Sequence, residues 1–345
     1  MNNRAKFIIM LFFTVGLLSG ACDDWSAIES VDINQTDSKE QNPELYATYL
    51  ENLRQYKTGV PHKQVYAWFD NSVKETYSRG QHYTFIPDSI DVVSIMYPDQ
   101  LSEWELQEIE SVRKDKNTRF IYSIGYEALE EIHAKMVENA NTEEGNGETV
   151  EEPVDFITFM VDTVQQALSV MKKYGYDGIS IAYEGQEYSR LNSKELQEYK
   201  KKEKAFIGMI ASWRGRHPEK ILVFEGKPQN LVENSILADC DHILVTSDVI
   251  KDKYNIRKVI KDASVRGVPV DKLGIIVYVP SLDPQDTQRG YFSDGECALP
   301  AVARWISIPE NDDLIGIGIY DLNSDYYNPD FVYKHTRESI AILNF

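Results

Sequence analysis

The sequence predicts an α/β protein built as a (β/α)8 barrel, and three observations predict it. Short apolar runs alternate with amphipathic segments, the pattern of repeated βα units around a parallel sheet. Eight such runs are read, at 64–69, 91–96, 119–124, 178–184, 220–225, 242–247, 273–279 and 314–320. The chain has 345 residues. A typical barrel of this class needs roughly 250, which leaves room for a leader, a lead-in segment and enlarged loops on one large domain.

Arg4 and Lys6 precede an apolar run from Phe7 to Leu18 that is short for a bilayer span, and Ser19, Gly20 and Ala21 then lead into Cys22. Residues 1–21 are therefore read as a removed leader. The pattern resembles a bacterial lipoprotein signal, with Ser19 where leucine is commoner, and implies a membrane anchor through lipid on Cys22. Asp23 and Asp24 resemble the acidic export tag of Bacteroidetes, which implies the outer face of the outer membrane. Residues 22–41 read as a polar tether. Asn42 and Pro43 read as an N-cap and first helical residue, opening the barrel domain, 42–345, with a helix to about Tyr56. That helix is expected to offer Leu45, Tyr49 and Leu53 to the domain and to seal the bottom of the barrel.

The formal charge of −19 becomes about −21 once the two leader cations are removed, which argues against a phosphate-backbone partner and so against nucleic acid. Neutral glycans fit better. With Cys22 lipidated, only Cys240 and Cys297 remain, in different parts of the predicted fold, and no disulfide is expected between them. No CxxC and no His/Cys cluster suggests a metal, and no cofactor is expected.

Between the strands, Ser102 and Glu105 read as a capping box. Phe156, Phe159, Met160, Val164, Ala167, Leu168 and Met171 form one apolar helical stripe, which is core. Two connections exceed what barrel closure requires. Residues 137–154, with Glu138, Glu143, Glu144, Glu148, Glu151 and Glu152, read as an acidic excursion. Residues 280–297, with Tyr291 and Phe292, follow the seventh predicted strand on the face where such barrels build their sites.

The stretch from Asp177 to Glu184 carries the most chemistry. Side chains alternate along a strand, so Ser180, Ala182 and Glu184 share one face and Ile179, Ile181 and Tyr183 the other. The segment resembles the DGxDxDxE motif of glycoside hydrolase family 18, with Ser180 and Ala182 at the two middle Asp positions. Further matches run along the chain. Ser123, Ile124, Gly125 and Tyr126 stand at the family's SxGG, and Val245, Thr246, Ser247 and Asp248 at its MTYD. VYAWF at 65–69 and PDSIDVVSIM at 87–96 resemble a subgroup of Bacteroides family 18 proteins associated with N-glycan use.

The resemblance implies hydrolysis in which the substrate's own acetamide is the nucleophile. Its orienting Asp is replaced by Ala182, and the Tyr that holds the acetamide oxygen by Ser247, whose hydroxyl is too short to stand in. Hydrolysis of the family type is therefore expected to be very slow or absent, with Glu184 a residual general acid and Asp177, Glu225 or Asp321 the acids available to rescue it. The expected site otherwise holds sugars: Trp68, Tyr126, Tyr278 and Tyr320 as stacking rings, and Glu225, Asp321 and Asn323 as hydrogen-bonding groups. Tyr183 points outward by alternation and is expected in the core. The reading is a surface lipoprotein that binds N-acetylglucosamine-containing glycans and passes them to partner enzymes and an importer. An active, divergent endo-β-N-acetylglucosaminidase is the alternative.

Overall fold

Parallel strands that hydrogen-bond in phase bring all their C-terminal ends to one face. The computed structural model describes residues 38–145, 153–246 and 251–344. Its strands are β1 (Gln64–Phe69), β2 (Val92–Ile95), β3 (Arg119–Ile121), β4 (Ser123–Gly125), β5 (Gly178–Tyr183), β6 (Ile221–Gly226), β7 (His242–Val245), β8 (Leu273–Tyr278) and β9 (Gly316–Tyr320). They lie in the order β3-β2-β1-β9-β8-β7-β6-β5-β4, every pairing parallel. β3 and β4 are the two halves of the third predicted strand, interrupted at Tyr122. The ends of the order are therefore neighbours in the chain, and the sheet is the (β/α)8 barrel that the sequence predicts.

Closure across the interruption is made by backbone. The Asp177 N–H donates to Phe120 O at 2.8 Å, and the Ser180 N–H to Tyr122 O at 2.8 Å. The Tyr122 side chain leaves the barrel and donates to Ala167 O at 2.6 Å on the helix Phe156–Tyr174. On that helix Met160, Val164 and Met171 are buried, and Phe156, Phe159, Ala167 and Leu168 pack beside them, which is the predicted stripe.

Alternation divides the apolar side chains into two cores. Val65, Ala67, Ile179, Ile181, Tyr183, Leu222 and Phe224 belong to the layer between barrel and helices. Tyr66, Trp68, Val92, Ile121, Val223, Leu244 and Ile276 fill the bore. Burial of each large aliphatic chain in either layer contributes about 1.5–3 kcal/mol.

The helix Pro43–Gly59 begins as predicted, with the Leu45 N–H on Asn42 Oδ1 at 3.0 Å. Its buried face is different. Leu50 and Leu53 are buried, whereas Tyr49 is 44% exposed. A spacing of three residues brings Leu50 and Leu53 onto one side of the helix. Lys57 then donates to Ile90 O and to Thr118 Oγ1 at 2.8 Å, just before β2 and β3, so this end of the helix closes the bottom of the barrel. Burial lowers the Lys57 ammonium to about 8.

The capping box forms, with the Ser102 N–H on Glu105 Oε2 at 2.7 Å. The acidic excursion does not begin as a loop. The helix Tyr126–Gly145 runs through Val137 and beyond, because glutamate and alanine are good helix formers and no breaker precedes Gly145. Residues 146–152 lie outside the described residues.

One glycine makes room for the site. A Cβ on Gly318 of β9 would lie 2.8 Å from Trp68 Cζ3, so the indole lies flat in the bore only because position 318 has no side chain. Gly318→Ala is expected to cost about 1–3 kcal/mol through overpacking. Urea unfolding and a shift in tryptophan emission, compared with the unaltered protein, check it; an unchanged midpoint and spectrum would contradict this account of the bore.

Candidate functional site

At the C-terminal ends of the strands the bore opens into a cavity of about 290 Å³, lined by Trp68, Ser94, Met96, Ser123, Ala182, Glu184, Glu225, Thr246, Ile276, Tyr278 and Tyr320. Strand parity selects this set. The even-numbered residues of β1, β5, β8 and β9 and the odd-numbered ones of β6 point inward.

Glu184 follows β5 immediately and stands in the mouth, its side chain 37% exposed. Both carboxyl oxygens are engaged: Thr246 Oγ1 donates to Oε1, and Lys227 Nζ lies 2.7 Å from Oε2. The backbone beneath is held as well. Glu127 Oε1 accepts from the N–H groups of Glu184 and Gly185 at 3.0 and 2.8 Å, and Asn230 Nδ2 donates to Glu184 O at 2.6 Å. Burial raises Glu127 above the ordinary carboxylate range, opposed by these backbone donors.

Glu225 lies on β6 in register with Ala182 and is 5% exposed. Burial raises its pKa; the Ser123 and Ser180 hydroxyls and the Trp68 indole oppose the shift, and the Glu184 charge adds to it. Ser94 and Ser123 hydroxyls lie 3.3 Å apart beside it. Three aromatic rings line the opposite wall. Trp68 stacks on Tyr320 with centroids 5.5 Å apart, and Tyr320 meets Tyr278 at 4.8 Å. Trp68 is buried and Tyr278 is 44% exposed, so Tyr278 is the ring most open to a ligand.

The predicted 280–297 loop does build on this face. It lines a groove of about 960 Å³ that shares Ile276 and Tyr278 with the mouth. Arg289 spans it, donating to Asp321 Oδ2 at 2.9 Å, pairing with Asp286 at 3.1 Å and lying 5.8 Å over the Tyr278 ring. Tyr291 is exposed; Phe292 is buried and belongs to the core.

Four expected site residues take other roles. Asp177 precedes β5, at the far end of the strand from Glu184, roughly 20 Å away along its rise per residue. There its Oδ2 accepts from the Phe120 N–H at 2.7 Å and pairs with Arg113 Nε at 2.9 Å, so it closes the barrel and is no reserve acid. Its neighbour Gly178 is structural too, since a Cβ there would lie 2.1 Å from Ile221 O. Tyr126 points outward, 3% exposed, with ring centroids 5.2 Å from Tyr183 and 5.4 Å from Phe206; it is core and no stacking platform. Asn323 uses its amide on the backbone of Asp70 and Gly80. Asp321, at φ 59°, is raised by burial against the opposing Arg289 and acts on that arginine beside the cavity. Tyr183 is buried as expected, its hydroxyl lying within hydrogen-bond distance of the Tyr199 hydroxyl at 2.6 Å and of Glu203 Oε2 at 2.9 Å. Ser247 and Cys22 lie outside the described residues, and Cys240 and Cys297 are free.

Lys227 and Glu127 were not anticipated, nor was a role for Thr246. Parity gives Thr246 away, two residues after the inward Leu244. No comparable signal exists for Lys227, whose side chain crosses between two loops, or for Glu127, which acts from the first turn of a helix. Among the described residues no three His, Cys, Asp or Glu side chains gather as metal ligands would.

A parallel eightfold barrel with glutamates at its C-terminal mouth and an aromatic wall beside them is the architecture of a glycoside hydrolase-type protein. The chain belongs to glycoside hydrolase family 18, in its BT1044-like group, whose family model matches residues 26–342. Among solved structures it is similar to a variant of BT1044, at 19% identity over 89% of this chain and 95% of that one, with a TM-score of 0.61. It is also similar to the endo-beta-N-acetylglucosaminidase of Cordyceps militaris in apo form, at 13% identity over 86% and 96%, with a TM-score of 0.56. A mutant of that enzyme in complex with fucosyl-N-acetylglucosamine-Asn matches at 13% identity over 86% and 95%, with a TM-score of 0.53. No curated protein matches in sequence.

The raised acids fix a pH dependence. A carboxyl whose folded pKa lies above its unfolded value, 4.5 for glutamate, favours the fold in its neutral form, so its contribution is lost as pH rises through that window. Glu225→Gln removes one such group and keeps the side chain's size and hydrogen bonding. The variant's stability relative to the unaltered protein should therefore increase between pH 5 and pH 7. Urea midpoints at the two values check it, and a difference independent of pH would contradict the assigned burial.

Proposed function

We propose that this chain is an outer-membrane surface lipoprotein whose family 18 barrel binds N-acetylglucosamine-containing glycans, N-glycans foremost, and cleaves them very slowly or not at all. One observation carries the reading: both oxygens of the Glu184 carboxyl are engaged, by Thr246 and Lys227, and its neighbour across one residue on the same face is Ala182. A general acid in this position must turn an oxygen and a proton to the glycosidic bond. Here that oxygen must first leave a protein partner. The acetamide nucleophile of the family mechanism also has no acid on β5 to orient it, and loss of one such group removes about 10²- to 10⁴-fold of rate.

What supports binding is the wall of Trp68, Tyr320 and Tyr278 facing Glu184 and Glu225, with the Arg289 groove running on from Tyr278. Flat rings take the apolar faces of pyranoses and the polar groups take their hydroxyls. The fungal relative holds fucosyl-N-acetylglucosamine-Asn in a fold of this kind. Attachment through Cys22, exposure at the cell surface and transfer of bound glycan to partner enzymes and an importer complete the proposal.

The alternative, a divergent active endo-β-N-acetylglucosaminidase, draws on one feature: Glu184 is partly exposed and faces the cavity from the C-terminal end of β5. A single sample separates the two readings. The protein should bind N-glycans on an array, Tyr278→Ala should weaken binding by about tenfold, equivalent to ~1.4 kcal/mol, and incubation with a glycoprotein should release no glycan above background. Glycan release that Glu184→Gln abolishes would establish the enzyme. Absence of binding to every glycan would remove the binding reading.

A further inference from the structure

At the N-terminal ends of the strands, the end that the helix Pro43–Gly59 closes, lies a second cavity of about 290 Å³. The parity that builds the mouth builds this end too. Ile121 and Leu244 point into the bore, so Arg119 and His242, two residues earlier on β3 and β7, point inward as well. Lys57 reaches the same cavity from the helix, and Val92 and Ile221 supply apolar wall. Arg119 is exposed, so the cavity is open to solvent.

The carboxylates of this end are already engaged. Asp91, Asp177 and Asp241 each stand just before a strand and grip one residue of a neighbouring strand by both backbone groups. The N–H groups of Val65, Phe120 and Leu222 donate to the three Oδ2 atoms at 2.8, 2.7 and 2.8 Å, and their carbonyls accept from the three aspartate N–H groups at 2.9, 2.8 and 2.8 Å. Each clamp has its own cation: His62 lies 3.1 Å from Asp91, Arg113 2.9 Å from Asp177 and Arg214 3.3 Å from Asp241. Asp91 and Asp241, which line the cavity, are thus held by backbone donors and by these outer cations.

Two cations are left over. Among the described residues the Arg119 guanidinium has no ion pair, and its charge bears only on Tyr66 and His242. Lys57 Nζ bonds to two neutral acceptors, Ile90 O and Thr118 Oγ1, which leaves one of its three N–H groups. His242 adds a donor. Burial keeps the proton on the Tyr66 phenol, which donates to His242 Nδ1, and burial lowers the imidazole to about 4, so the ring is neutral. A neutral ring that accepts at Nδ1 carries its own proton on Nε2.

We propose that this cavity is a second ligand site, at the opposite end of the barrel from the mouth, and that it takes a small phosphate-type oxyanion held by the Arg119 guanidinium, the Lys57 ammonium and the His242 N–H. The guanidinium fork matches two oxygens of such an ion, and a tetrahedral ion has further oxygens for donors that converge from the helix and from β7. A planar carboxylate satisfies the fork and little else. The net charge of −19 opposes anions only at long range and is screened over about 10 Å at 0.1 M salt, so the contacts decide. The site is independent of the glycan reading.

Titration calorimetry on the full chain, at matched ionic strength, compares inorganic phosphate, glycerol 3-phosphate and acetate. The unaltered protein should bind both phosphates saturably and acetate at least about tenfold more weakly. Arg119→Gln should lower phosphate affinity by about tenfold or more, the loss expected for a charge-assisted, bidentate contact, and Arg119→Lys should keep part of it. Its urea midpoint in chloride should match that of the unaltered protein, which separates loss of the site from loss of the fold, and phosphate should raise the midpoint of the unaltered protein alone. Flotation with vesicles containing phosphatidic acid identifies the source of the phosphate. Vesicle binding that inorganic phosphate displaces and Arg119→Gln removes assigns a lipid headgroup; phosphate binding without it assigns a soluble ion or ester. No saturable phosphate binding by the unaltered protein overturns the proposal. Binding that survives Arg119→Gln undiminished places the ion elsewhere and overturns it equally, and acetate bound as tightly as phosphate overturns the tetrahedral assignment.

Discussion

The arrangement of the mouth depends on the backbone bonds across the interruption in the third strand. Tyr122 breaks the ladder between β3 and β4, and the sheet remains closed because Asp177 and Ser180 bond to Phe120 and Tyr122 across the gap. A slip of one residue there would turn every inward side chain of β5 outward. Ser180, Ala182 and Glu184 would then face the helices, and Ile179, Ile181 and Tyr183 the bore. Arg113 on Asp177 and the close approach of Gly178 to Ile221 O secure the same register from the other end of the strand. The first two letters of the motif therefore hold the strand in place, and its last letter faces the cavity.

Alternation made most of this readable from sequence. The eight strand positions, the outward Tyr183 and the inward Trp68, Glu184, Glu225, Tyr278 and Tyr320 all follow from a period of two, which is set by backbone geometry and is insensitive to context. Tyr126 and Asp177 fall outside the site by that same rule, since they alternate with the inward Gly125 and Gly178. The burial of Leu50 in place of Tyr49 has a different reason, because helical spacing alone does not say which side of a helix meets its neighbour. Lys227, Glu127 and Arg289 were illegible because long side chains on loops and helix ends reach across many residues of sequence to partners that only closure of the barrel supplies.

The mouth is electrostatically unusual for a chain of net charge −19. Glu127, Glu184 and Glu225 crowd into one region, and their mutual repulsion is managed in three ways. Glu127 is spent on backbone N–H groups, Glu184 on a lysine and a threonine, and Glu225 is driven by burial toward its neutral form. All three acids thus have protein partners, since the Ser123 and Ser180 hydroxyls and the Trp68 indole also bear on Glu225.

The register pair of Ala182 and Glu225 has an electrostatic consequence. An acid introduced at position 182 would put two carboxyls into one buried volume, where like charges a few ångströms apart cannot both ionise and one must stay protonated. The small side chain at 182 is thus what lets the buried carboxyl of Glu225 stand without a second acid beside it.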